Sequence, residues 1–389
     1  MRFTSQNRSC FLAQIICLLV LSFHSISAQQ KVPYSAIDLR SKGYFEIPMN
    51  SPTDRIVLGD VNGQVAFLGP DRVAVSFLVA NKNIGLTDHE HLSGGKWLFH
   101  TLAVNANSGQ SEAEWTWRSA SQDDRVVPLQ TGQFLVAGQE LITLQQLDGK
   151  TMWRLDLPKT DIYGAQPYGF AVVSDTGNTI FVVSDKDKET ESVEVYRTSD
   201  LHTVSTFTIP YQGLTDRMTA SDKGLFFTYP GQNQNALAYI DRFGTFSQRV
   251  WVCQDSGACS HVQFVGNDGL VLNNTPHSIV LLDNQGRVIQ RHELGKELIN
   301  HVSVCSNGTR LMVELDKWGG GSAFFDTYGK VKAARIAILD TDTLKEIASL
   351  PLDPKQPVRA GINPTGDLVA YIDKGMLKFW SVPTPAKTK

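Results

Sequence analysis

A strand–turn–strand unit recurs along the chain, and it constrains the fold more than any other feature of the sequence. Each copy is an apolar strand, a turn with Gly or Asn/Asp, and a second apolar strand. Seven copies begin at Val65, Val126, Phe170, Met218, Val262, Val302 and Ala360. The turn glycines of the last six are Gly132, Gly177, Gly224, Gly269, Gly308 and Gly366. Their mean spacing is about 47 residues, which is typical of propeller repeats.

A second hairpin follows each of the first six copies. These hairpins begin at Ala103, Thr143, Glu194, Ala238, Val280 and Ala337. Turns such as Asp148-Gly149 and Asn284-Gln-Gly286 have the chemistry of β-hairpins. Two hairpins make one four-stranded antiparallel blade, so the sequence predicts an all-β, seven-bladed β-propeller as a single domain over residues 29–382.

The seventh copy has only one strand after its hairpin, Leu377 to Val382. Strand-like segments around Ile37 and Phe45 are predicted to supply the missing outer strand and close the ring. Closure of this kind removes an open sheet edge that would invite aggregation. Residues 383–389 are predicted to form a disordered tail.

The N-terminus has the pattern of a secretory signal peptide. Arg2 and Arg8 precede the apolar run from Phe11 to Phe23, and small residues follow up to Ala28. This predicts a signal peptide over residues 1–28 and a periplasmic or secreted mature chain. An uncleaved anchor is the alternative. No later segment is long and apolar enough to span a membrane.

The composition argues against nucleic acid as a partner, since the net charge is −3 and charged residues make up 19% of the chain. We expect a monomer. In an oxidising compartment, Cys253 and Cys259 are close enough in sequence to form a disulfide. Cys305 is then expected to be a buried free thiol.

Two hairpins resemble those of known propeller families. The segment LDGKTMWRLDL (147–157) looks like the quinoprotein repeat, and ILDTDTLKEIASL (338–350) looks like the YVTN-type repeat of exported bacterial surface propellers. At the level of blades the resemblance spans most of the mature chain. It implies a propeller fold and, from the quinoprotein side, a quinone cofactor.

Long insertions are expected on one face of the ring. The loops Ala80–Lys96, Asp185–Ser192 and Asp316–Lys332 join the second and third strands of their blades, and that face is where function would lie. Five basic residues stand at the entry of the innermost strands: Arg125, Arg217, His261, His301 and Arg359. One interpretation is a positive funnel that binds a small anion. The other is that these residues pair with neighbouring acids and carbonyl groups to join adjacent blades.

The first long loop carries Asp88, His89, Glu90 and His91, which are candidate ligands for a divalent metal. No known catalytic motif occurs. The sequence therefore favours a non-catalytic binding or scaffolding module for a protein, peptide, glycan or small anion. The alternative is an enzyme at the same face, either a metal-assisted lactonase or lyase or a quinone-dependent dehydrogenase.

Overall fold

The structure is a computed structural model. It describes residues 36–44, 64–79, 97–119, 125–129, 131–137, 141–158, 169–174, 176–210, 218–230, 235–252, 262–265, 270–275, 278–283, 287–319, 330–354 and 359–383. By its internal contacts the chain divides into Met1–Pro33 and Tyr34–Lys389. The first unit lies outside the described residues, so the predicted signal peptide remains a prediction. No helix within the described ranges is long and apolar enough to cross a membrane.

The described residues form 28 strands in seven four-stranded sheets. Sheet 1 is β2 (Gln64–Phe67), β3 (Arg72–Leu78), β4 (Trp97–Asn105) and β5 (Ser111–Ser119); sheet 2 is β6 (Arg125–Pro128), β7 (Phe134–Ala137), β8 (Leu141–Gln145) and β9 (Thr151–Asp156). Sheet 3 is β10 (Gly169–Val173), β11 (Thr179–Asp185), β12 (Thr190–Arg197) and β13 (Thr203–Pro210); sheet 4 is β14 (Met218–Ser221), β15 (Gly224–Pro230), β16 (Asn235–Asp241) and β17 (Phe246–Val252). Sheet 5 is β18 (Val262–Val265), β19 (Leu270–Thr275), β20 (Ser278–Leu282) and β21 (Val288–Glu293); sheet 6 is β22 (Glu297–Val304), β23 (Arg310–Gly319), β24 (Lys330–Asp340) and β25 (Glu346–Leu352). Sheet 7 is β26 (Ala360–Ile362), β27 (Leu368–Asp373), β28 (Met376–Ser381) and β1 (Ile37–Asp38).

Sheets 1 to 6 are built from consecutive antiparallel strands, whereas sheet 7 takes its fourth strand from the N-terminal segment. β1 pairs with β28, with Ile37 opposite Leu377 and Asp38 opposite Met376. A 3₁₀ helix over Leu39–Lys42 follows, and Leu39 is fully buried. The prediction of an all-β chain with four-stranded antiparallel sheets is confirmed. The predicted strand around Ile37 is present, and Phe45 lies outside the described residues.

The first strands of the sheets lie side by side. Contacts join β2 to β6, β10 to β14, β14 to β18, β18 to β22, β22 to β26, and β26 to β2. The first strand of each sheet is therefore the inner strand, and the fourth is the outer one.

The apolar core lies between neighbouring sheets rather than inside any one of them. Six clusters of buried side chains, counted among the described residues, each bridge two successive sheets. β11 shows how this arrangement buries the whole length of a strand. Phe181 and Val183 pack toward sheet 4, while Ile180 and Val182 pack toward sheet 2. Because side chains alternate along a strand and both sides are covered, every position of this strand is buried.

Aromatic side chains on outer strands join one sheet to the turn of the next. Trp115 of β5 lies against Gly149 in the outer turn of sheet 2. Trp153 of β9 donates its indole N–H to the carbonyl of Thr198 in sheet 3 at 2.9 Å. Trp153 stands in the hairpin that resembles the quinoprotein repeat, and both tryptophans pack across sheet boundaries.

The outer strands of sheets 1, 2, 3, 5 and 6 each begin with a β-bulge. The extra residues are Glu112, Met152, Val204, Ile289 and Ile347. A bulge increases the local twist and interrupts the regular row of backbone groups at an edge. The repeated bulge therefore makes the outer edge of these sheets less able to pair with a strand of another chain.

Candidate functional site

The predicted anion site consists of five basic residues, of which Arg125 and His301 lie on inner strands of the structure. Of the five, two have described side chains, His301 and Arg359. Arg125 is the first residue of β6, and its side chain is outside the described set. Arg217 and His261 lie outside the described residues, as do Asp88, His89, Glu90 and His91, and both Cys253 and Cys259. The predicted anion site, the candidate metal ligands and the Cys253–Cys259 disulfide therefore stay predictions.

Arg359 is half-buried and lies directly before β26. Its carbonyl accepts the N–H of Ile372 at 2.9 Å, which continues the ladder between β26 and β27. The guanidinium nitrogens Nε and Nη2 are shielded from solvent. A buried guanidinium needs compensating partners within the protein. This position suits the interpretation in which the basic residues join adjacent sheets better than an open funnel.

His301 has a different setting, because its side chain is exposed. It lies on β22, the inner strand of sheet 6, and its Nε2 is 2.9 Å from the hydroxyl oxygen of Ser303. The two residues are two positions apart, so they project to the same side of the strand. Val302 between them points the other way, into the core shared with sheet 5.

A buried carboxylate stands opposite this pair. Glu314 of β23 is the cross-strand partner of His301 and is only 4% exposed. Asp316 follows two positions along the same strand and is 1% exposed. Sequence reasoning named His301 and missed Ser303 and Glu314. The two-residue spacing of His301 and Ser303 could have indicated that their side chains lie on the same side of the strand. The position of Glu314 opposite His301 depends on the strand register, which the sequence does not show.

Cys305 lies at the end of the same strand and is 1% exposed. Its Sγ accepts the N–H of Arg310 at 3.1 Å and lies 2.8 Å from Oδ1 of Asn307. The prediction of a buried free thiol is confirmed. The thiol has the same structural role that Ser174 has in sheet 3, where Oγ accepts the N–H of Thr179.

The turn between the second and third strands of sheet 3 is shorter than the sequence indicated. β11 extends to Asp185 and β12 begins at Thr190, so only residues 186–189 lie between them. Oδ1 of Asp187 accepts the N–H groups of Glu189 and Thr190, which closes the turn tightly. Burial raises the pKa of Asp185, which faces Glu191 across the strands. Asp185 is therefore part of the sheet and not of a long loop.

No group of three or more His, Cys, Asp or Glu side chains within the described ranges is placed to hold a metal ion. The metal candidates proposed from the sequence fall outside those ranges.

Comparison with solved structures places the chain among β-propellers. It aligns with a chain of the mitotic checkpoint complex crystal structure at TM-score 0.53 and 12% identity, covering 92% of this chain and 97% of that one. It aligns with Raptor of Chaetomium thermophilum at TM-score 0.56 and 10% identity, covering 82% of this chain and 27% of Raptor. The C-terminal WD40 domain of Sif2 aligns at TM-score 0.46 and 10% identity, over 82% of this chain and 95% of that one.

No protein-family model and no curated protein sequence matches the chain. At such low identities the structural likeness defines the fold alone. It supports a β-propeller fold, in agreement with the four-stranded antiparallel sheets. The resemblance to quinoproteins and YVTN-type repeats stays a hypothesis about ancestry.

Proposed function

We propose that this protein is an exported, seven-bladed β-propeller, closed by its N-terminal strand, that serves as a non-catalytic scaffold for a protein or peptide partner. Support for the ring comes from the core between sheets 7 and 1. There Phe77 of β3, Phe379 of β28 and Leu39 after β1 are all fully buried in one cluster. A shared core between the last and first sheets is what a closed ring requires.

Support for a scaffold role comes from the way the sheets are joined. Core clusters and turn contacts make each sheet depend on its neighbours, so the inner and outer strands form a rigid frame. Loops on a rigid frame are the usual place for recognition. The structural neighbours include a chain from a multiprotein complex, the mitotic checkpoint complex. Protein partners are therefore the first class to test.

The face that carries the loops over residues 80–96 and 320–329 is the proposed binding surface. The described turns on the opposite face are tight, and polar side chains in them bind their own backbone. Asp241, for example, accepts the N–H groups of Phe243 and Thr245. Asn105 likewise accepts those of Asn107 and Ser108. Side chains that cap their own turns have less capacity to bind a partner.

Photo-crosslinking in the producing cell tests this proposal. A photoreactive phenylalanine analogue replaces His91 or Phe325 on the loop face, and Lys150 or Gln110 on the turn face as matched controls. We expect the loop-face positions to capture the same partner protein and the turn-face positions to capture none. Equal capture from both faces, or none from the loop face, contradicts the proposal.

A further inference from the structure

The inner strand of sheet 6 carries a hydroxyl and an imidazole in contact. Ser303 Oγ and His301 Nε2 are 2.9 Å apart, within hydrogen-bonding distance. Ser303 is half-buried, and His301 is exposed. A serine hydroxyl beside an imidazole nitrogen is the pairing in which a weak nucleophile is activated by a general base.

A third group lies across the strand pair from His301. Glu314 is directly opposite His301 in the strand register and is 4% exposed. Opposed residues on one face of an antiparallel pair have Cβ atoms about 5 Å apart, which is within reach of an imidazole. Glu314 shares its side of β23 with Met312, a core residue between sheets 6 and 7. A buried carboxylate of this kind orients a histidine and stabilises its protonated form.

Small residues of the next sheet lie near the strand that carries the pair. β22 contacts β26 of sheet 7, which begins with Ala360 and Gly361. These residues have the smallest side chains. Ala360 packs against the core between sheets 6 and 7. The side chain of His301 is exposed to solvent.

We propose that Ser303 is a nucleophile activated by His301, with Glu314 as a positioning residue, and that the site accepts small carboxylic esters. Ser303 Oγ attacks the ester carbonyl carbon while His301 Nε2 takes the hydroxyl proton. The ester C–O bond breaks, and the leaving alcohol takes that proton from His301. Water then attacks the acyl-serine with His301 as base, which releases the carboxylic acid and restores the Ser303 hydroxyl. This esterase activity is a further function located on the inner strand of sheet 6, and the scaffold role proposed for the loop face itself involves no catalysis.

The test uses the mature full-length protein with p-nitrophenyl acetate and a fluorophosphonate probe. We expect a burst of p-nitrophenol equimolar with protein, and covalent probe attachment that peptide mass spectrometry locates at Ser303. Ser303→Ala abolishes both. His301→Gln slows the burst by roughly 100-fold, in the range expected for loss of a general base. The control is Ser306→Ala, an exposed serine in the adjacent turn, which reacts like the wild type.

The Glu314→Gln variant distinguishes a positioning role of Glu314 from a role in folding. We expect it to keep labelling at Ser303 but to slow the burst and change its pH profile, which in the wild type rises as a histidine loses its proton. Circular dichroism and melting temperature confirm that each variant is folded. The proposal is overturned if the folded wild type shows no burst, if the probe attaches elsewhere, or if Ser303→Ala reacts at the wild-type rate.

Discussion

At the scale of single residues, contacts between sheets explain why particular side chains are small or aromatic. Gly149 has φ +79°, and a Cβ placed there would be 2.7 Å from Cγ of Trp115 in sheet 1. Gly132 has a similar φ of +78°, yet a Cβ there would have nothing within 4 Å. A comparison of the two positions therefore separates the cost of backbone strain from the cost of steric overlap with Trp115.

Gly149→Ala is predicted to be more destabilising than Gly132→Ala. A left-handed backbone costs an alanine about 1 kcal/mol at either position. At Gly149 overpacking against Trp115 adds roughly 1–3 kcal/mol. Urea unfolding of both variants gives the two free energies of unfolding. Equal losses for the two variants would show that the Trp115 contact is not tight.

Trp153 provides a second residue-scale prediction. Its indole N–H donates to the carbonyl of Thr198 in the next sheet, so Trp153→Phe loses that hydrogen bond and leaves the carbonyl without it. We expect a loss of about 1–2 kcal/mol in the free energy of unfolding. The neighbouring Met152 is 47% exposed, and Met152→Ala is the matched control with little effect. A similar loss of unfolding free energy in both variants would show that the hydrogen bond from Trp153 to Thr198 does not stabilise the protein.

At the scale of elements, the N-terminal segment is held by a polar network as well as by β1. Lys42 Nζ lies 2.6 Å from a carboxylate oxygen of Glu114 in β5. Nε2 of His100 is 2.9 Å from the other oxygen, and its Nδ1 is 3.0 Å from the carbonyl oxygen of Lys42. This network connects the segment that completes sheet 7 to sheet 1.

Docking of this segment is predicted to weaken in acid. The Lys42 ammonium holds the pKa of Glu114 below its ordinary value of 4.5. A carboxyl with a lowered pKa in the folded state stabilises that state above pH 4.5, and the effect disappears as the pH falls through the lowered pKa. The protection factors of the amides of residues 37–44, which correct for the intrinsic pH dependence of exchange, should fall over that interval. Glu114→Gln should exchange faster at neutral pH and lose this acid dependence.

At the scale of the whole molecule, the proposed ring closure rests on the short strand β1 and the residues that follow it. Leu39 is fully buried in the core shared by sheets 7 and 1, whereas the Arg40 side chain is 58% exposed. We expect Leu39→Ala to lower the free energy of unfolding by about 2–5 kcal/mol. Arg40→Ala should change it by less than about 1 kcal/mol, since its ion pair with Asp38 is at the surface. Chemical unfolding with light scattering measures both stability and association. If Leu39→Ala unfolds like the wild type, this core does not stabilise the ring.

Much of the fold could be predicted from the sequence, because strands and turns are marked by patterns of neighbouring residues. Apolar alternation and turn residues are read within about ten positions, and each predicted inner hairpin corresponds to a hairpin of the structure. The outer turn at Asp148-Gly149 and the strand at Ile37 were predicted in the same way. The candidate site was predicted less completely, since only His301 of the group with Ser303 and Glu314 was identified.

The sequence by itself determined the strand-rich repeat, its hairpins and the N-terminal strand that completes sheet 7. Tertiary structure alone decided which side chains meet. Glu314 lies opposite His301 because of the register that pairs β22 with β23. Trp115 reaches Gly149 because neighbouring sheets stack at a close distance. Register and stacking depend on the packing of many side chains at once, so no local pattern specifies them.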